Sequence, residues 1–137
     1  MKQSRSQSPR KERRSGLAAV EFALTLPLLM ILVIGSIEAS NAIFLRQAIT
    51  IAAYETAQIA SAYGGTEIEA KNRGTEILNS YQVKNFTIAV FPPVTAATIP
   101  GSKIQVTITA PSNSNSIGPA WFFKDSTFER KFTMYRL

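Results

Sequence analysis

One carboxylate stands alone in the most apolar stretch of this sequence. Leu17 to Ile37 is twenty-one residues long, and Glu21 is its only charged residue. A carboxylate in low-dielectric surroundings is suited to pairing with a cation, an attraction several times stronger there than in water. Left unpaired in a membrane interior it costs on the order of 2–3 kcal/mol, so Glu21 is a candidate functional residue. Five positions earlier Gly16 closes a basic leader, and Leu17-Ala18-Ala19-Val20 and then Glu21-Phe22 follow it. Other chemistry has few carriers. The chain has no Cys and no His, which removes disulfides, thiolate nucleophiles, imidazole bases and the usual zinc sites. It has no Gly-rich phosphate loop. Glu67, Glu69 and Glu76 recur at helix-surface spacing and are expected to form a solvated face. Asn85-Phe86-Thr87 matches a glycosylation sequon, read as chance within a strand pattern. Trp121-Phe122-Phe123 is expected to pack into a core in preference to touching lipid headgroups or a partner. Nothing here argues for an enzyme or a cofactor.

The element that must position Glu21 is the apolar run itself. As a helix, twenty-one residues span about 31 Å, enough to cross a bilayer core. Starting the run at Phe22 would leave about 24 Å, which is short. Glu21 is therefore expected about 6 Å inside one end of a membrane segment. Pro27 removes a backbone hydrogen bond, so a kink near Leu24–Pro27 is expected. Gly35 offers a second soft point or a place for close helix packing.

Charge fixes the orientation. The chain carries a net +6, and residues 1–16 hold six basic groups against Glu12. Arg10, Lys11, Arg13 and Arg14 crowd the edge of the apolar run. That arrangement follows the positive-inside rule, with the N-terminus cytoplasmic and the rest outside. A membrane is the expected partner of these charges, not nucleic acid. Residues 1–15 lack the apolar side chains that offset ordering entropy and are expected to be disordered.

Beyond Glu38 the helical spacing continues through Ala42, Leu45, Ile49, Ala52, Ala53, Thr56, Ile59, Ala60 and Tyr63, until Gly64-Gly65 stops it. One long helix over Leu17–Tyr63 is expected, about 70 Å in length. Thr66 and Glu69 form a capping box for a second helix reaching Tyr81, with Ala70, Gly74, Ile77, Leu78 and Tyr81 on its buried face. The period then becomes two in three segments, around Phe86–Phe91, Ile104–Thr109 and Phe128–Met134. The expected fold is α+β: a single N-terminal transmembrane helix, a second short helix and an antiparallel sheet of three to four strands. The expected organisation is a leader at 1–16, a membrane segment at 17–37, its outer continuation at 38–63 and an α+β domain at 64–137.

The junction Gly16-Leu17 through Glu21-Phe22 resembles a prepilin peptidase site. The wider stretch, Ser15 to Ala60, resembles the TadE-like family of the tight-adherence (Flp-type) pilus assembly system. The matching positions are Gly16, Ala19 to Leu24, Pro27-Leu28-Leu29, Gly35, Glu38 and Gln47-Ala48, and the resemblance ends in the stretch Ala52 to Ala57. The sequence departs from the family pattern at Ala39-Ser40, Tyr54 and Thr56. The resemblance implies a minor pilin or pseudopilin of a bacterial inner membrane, with a long pilin-like helix and prepilin peptidase and other pilins as partners. It implies a scissile bond at Gly16–Leu17, bundling of Phe22–Ile37 with other pilin helices, and pairing of Glu21 with a freed amino terminus. Glu38, near the outer boundary, is expected to tolerate neutralisation far better than Glu21.

Two alternatives stand beside this one. An uncleaved single-pass anchor would carry an outer domain that binds a ligand or an envelope component. A secreted domain would be released after Ala42, where Ser40-Asn41-Ala42 makes a weak small-x-small site.

Overall fold

In the computed structural model the described residues are 11–118 and 120–137, with side chains from Gly16 onward. The expected disorder of the leader, and Arg10, lie outside them, as do the side chains of Lys11, Arg13 and Arg14. The element order is α1 (Lys11–Ser61), α2 (Glu67–Ser80), β1 (Thr87–Phe91), β2 (Lys103–Pro111) and β3 (Thr127–Tyr135). This is the α+β fold expected, with three strands. Helix α1 opens at Lys11, earlier than Leu17, because Lys11, Glu12, Arg13 and Arg14 are all good helix formers.

The chain divides into two units at Ser36 and Ile37. In the first, the helix runs unbroken through Pro27 and Gly35. Its apolar side chains are exposed on every side: Leu17, Phe22, Leu24, Leu28 and Leu32 all show more than half of their surface. A helix apolar all round is a membrane span or the core of a larger assembly. Its hydroxyls are satisfied within the helix, Thr25 Oγ1 donating to the Phe22 carbonyl at 3.1 Å and Ser36 Oγ to that of Leu32 at 2.7 Å. Among the described residues this is the one helix long and apolar enough to cross a membrane.

In the second unit α1 becomes one-sided. Ala42, Leu45, Ala48, Ile49, Ala52, Ala53, Ala57 and Ala60 are buried, so small residues let neighbouring elements approach closely. Tyr63, expected on this stripe, is exposed, because α1 stops at Ser61 and Gly64 takes a left-handed φ of +75°. Gly65 is buried with its amide bonded to the Ala62 carbonyl at 3.0 Å.

The expected capping box opens α2. Thr66 N–H donates to Glu69 Oε2 at 3.1 Å, and Glu69 N–H donates to Thr66 Oγ1 at 3.3 Å. Ala70, Gly74, Ile77 and Leu78 form its buried face, with Tyr81 half-buried beyond its end. Gly74 has a specific cause. A Cβ there would run into Thr56 Oγ1 and come within 2.9 Å of Ile88 Cδ1.

The sheet is antiparallel in the order β1-β2-β3. Val90 faces Val106, Ile108 faces Arg130 and Ala110 faces Phe128. The central strand buries Ile104, Val106, Ile108 and Ala110 in strict alternation. At the edge, Phe128, Arg130, Phe132 and Met134 turn toward α1, with Phe132 edge-on to Tyr54 and Arg46 stacked over Phe128. Glu129 and Lys131 pair with each other on the opposite face at 2.6 Å.

Candidate functional site

The residues expected at a processing site are exposed. A Cβ placed on Gly16 would meet no atom within 4 Å, and Leu17, Glu21 and Phe22 are all exposed. They occupy consecutive turns of α1, with Glu21 one turn beyond Leu17. No described cation pairs with Glu21. Pro27 and Gly35 lie further along the same exposed helix. The acidic residues of α2 are tied up as a surface face, Glu67 with Lys71 at 2.6 Å and Glu76 with Arg73 at 3.0 Å.

A second carboxylate carries the better-defined geometry. Glu38 is 3% exposed, and its two oxygens are clasped by one loop. The Trp121 N–H donates to Oε1 at 2.6 Å and the Phe122 N–H to Oε2 at 2.7 Å. Burial alone would raise the carboxyl pKa. The backbone N–H groups of Trp121, Phe122 and Phe123 outweigh it and hold the pKa below its ordinary value. Asn41, one turn on, donates through Nδ2 to the Ile117 carbonyl at 3.2 Å. The sequence suggested no structural work for Glu38, yet its carboxylate organises a loop. The expected core position of the aromatic triplet is corrected. Phe123 packs against the core, but Trp121 is 61% exposed and Phe122 59%. The clasp aims three backbone N–H groups inward, and two side chains are left pointing out.

Arg136 is a third charged residue of note. It is buried, and its guanidinium donates to the Ala60 carbonyl at 2.7 Å and the Gly65 carbonyl at 3.1 Å. A cation thus caps an orphan carbonyl in the last turn of α1, with the helix dipole in its favour, and ties it to the turn that follows. No local pattern in the sequence marked it.

One concavity, of about 460 Å³, is an open groove lined by Ile43, Arg46, Gln47, Thr50, Tyr81 and Arg130. It holds no nucleophile beside a base. No metal-binding cluster occurs among the described residues.

Comparison with known families finds one likeness, and it falls on this helix. Residues 16–58 match the family model described as TadE-like protein. The chain carries a TadE-like segment. That segment starts at Gly16 and includes Glu21, Glu38 and most of the buried stripe of α1. It ends before α2, so Arg136 and the loop that clasps Glu38 lie beyond it. Neither the curated proteins nor the solved structures give a match. The TadE-like segment points to a role in assembly of Tad pili, and its apolar helix suits a membrane anchor.

Proposed function

We propose that this chain is a minor pilin or pseudopilin of a tight-adherence pilus, held in the bacterial inner membrane by Leu17–Ile37 with its basic leader in the cytoplasm. A prepilin peptidase cuts between Gly16 and Leu17. The exposed apolar helix then bundles with those of other subunits, and Glu21 neutralises an amino terminus freed by that cut. The observation that carries this reading is the TadE-like match, which begins at Gly16 and covers the helix whose apolar side chains are exposed among the described residues.

Release after Ala42 fits the structure poorly. Ala42 is buried inside α1, and a cut there would strip Glu38 and Asn41 from the loop they hold. The mature N-terminus discriminates the readings. Sequencing the protein from its native membrane is expected to give Leu17. Met1 would mean an uncleaved anchor, and Ile43 a released domain. Gly16→Leu is expected to accumulate at full length, since a site that accepts no side chain has little room for one.

A further inference from the structure

The loop from Ser112 to Ser126 joins β2 to β3, and it is fastened at both ends. At its base the Ser112 N–H donates to the Ser126 carbonyl at 2.7 Å, and Asn113 and Asp125 exchange two hydrogen bonds at 2.6 and 2.9 Å. At its far end it is held by Glu38 and Asn41. A carboxylate that gives up water to bind two consecutive N–H groups fixes that segment firmly. Yet the side chains it presents are the kind a folded domain normally hides. Ile117 is 75% exposed, Trp121 and Phe122 more than half exposed, and Lys124 is exposed beside them.

Position along the chain says what covers them. The apolar run ends at Ile37, and the two anchoring residues are the first and fourth after it. At 1.5 Å per residue they lie within about 6 Å of the end of that run. The headgroup layer on each side of a bilayer core is about 5–8 Å thick. Trp is enriched at that level because its ring is apolar with one polar N–H, and a neighbouring Lys reaches from there to the phosphates.

We propose that Ile117, Trp121, Phe122 and Lys124 form an interfacial foot that seats in the lipid headgroup layer where the helix leaves the membrane. Glu38 and Asn41 hold the foot on the helix. The inference rests on the membrane-anchor part of the proposed function and does not depend on whether Gly16–Leu17 is cut.

Trp121 is the chain's single Trp, so its fluorescence reports the foot alone. The experiment uses the full chain in phosphatidylcholine–phosphatidylglycerol bilayers, with spin labels at shallow or deep acyl positions and acrylamide as the aqueous quencher. A control places a Trp in mid-span, as Leu29→Trp in a Trp121→Phe background. The expected result is shallow-label quenching of Trp121 exceeding deep-label quenching by about twofold, as headgroup-level seating requires. Trp121 quenched by acrylamide and by neither label, with a lipid-quenched control, overturns the foot and leaves the anchor standing. Trp121 shielded from acrylamide and from both labels means that protein, such as a second copy, covers the loop; this also overturns it. A control that no lipid label quenches overturns the anchor itself, and the foot with it.

Discussion

The carboxylate of Glu38 and the backbone of Trp121, 83 residues apart in sequence, meet at 2.6 Å. The contact joins the helix, just past its apolar run, to the loop between β2 and β3. It makes Glu38 a structural charge, while Glu21 remains one without a described partner.

The first prediction follows from the lone pairs involved. Glu38→Gln keeps the shape of the side chain but turns one acceptor into a donor that faces a backbone N–H. It is expected to lower the melting temperature of the detergent-solubilised protein by several degrees and to loosen the 117–124 loop, seen as faster amide exchange there. The pH dependence has a definite sign. Because the folded pKa lies below its ordinary 4.5, the stabilisation is present above that value and is lost as pH falls through the folded pKa. The wild-type protein should therefore lose stability below about pH 4.5, and Glu38→Gln should flatten that acid limb. An unchanged melting profile for Glu38→Gln would show that the clasp contributes nothing.

Arg136 should be as sensitive. Removing its guanidinium leaves the Ala60 and Gly65 carbonyls buried without their donor. Hydrogen bonds to charged groups contribute about 1.5–3 kcal/mol, so Arg136→Ala is expected to destabilise the outer domain by about 2–3 kcal/mol. Chemical denaturation measures it. Arg136→Lys should recover only part of the loss, since an ammonium cannot reach two divergent carbonyls with the same fork.

Thr56 and Gly74 form a coupled pair. Thr56 Oγ1 is fully buried and has no hydrogen-bond partner among the described residues. Thr56→Val exchanges that hydroxyl for a methyl of similar shape, with an expected gain of about 1 kcal/mol. Gly74→Ala should cost about 1–3 kcal/mol by overpacking against Thr56 and Ile88. Thr56→Ala vacates the space the new methyl needs, so the double variant should lose less than the sum of the two singles. Strict additivity in that cycle would place the strain elsewhere.

The functional prediction concerns Glu21. Glu21→Gln should insert in the membrane and be cut at Gly16, yet fail to support pili. If Glu21 neutralises an amino terminus in low dielectric, removing it strands a cation at a cost of about 3–5 kcal/mol. Complementation of a deletion strain, scoring mature protein and surface pili together, reads the two steps separately. Wild-type piliation would reduce Glu21 to a tolerated charge.

What the sequence disclosed was local. The capping box at Thr66, the stop at Gly64-Gly65, the three alternating segments and the buried stripe of α1 each announce themselves within a few residues, and apart from Tyr63 at the end of the stripe each stands where expected. Glu38 and Arg136 were illegible for the opposite reason. Their partners lie 83 and 76 positions away, and hydrogen bonds to backbone N–H and carbonyl groups leave no mark on the partner's residue type. The aromatic triplet misled because bulk alone suggests a core. Its backbone is what the fold uses, and that turns two of its rings outward.

The free edge of β3 has a consequence for crowding. A strand at the end of a sheet offers unpaired N–H and carbonyl groups, an invitation to add a strand from another molecule. Here that edge strand carries the run Glu129-Arg130-Lys131, with its first and last members joined in an ion pair. Copies drawn to high local concentration by their apolar helices would have to desolvate those charges before their sheets could merge. Under the proposed function, the sheet domains of neighbouring copies would then crowd together without merging edge to edge.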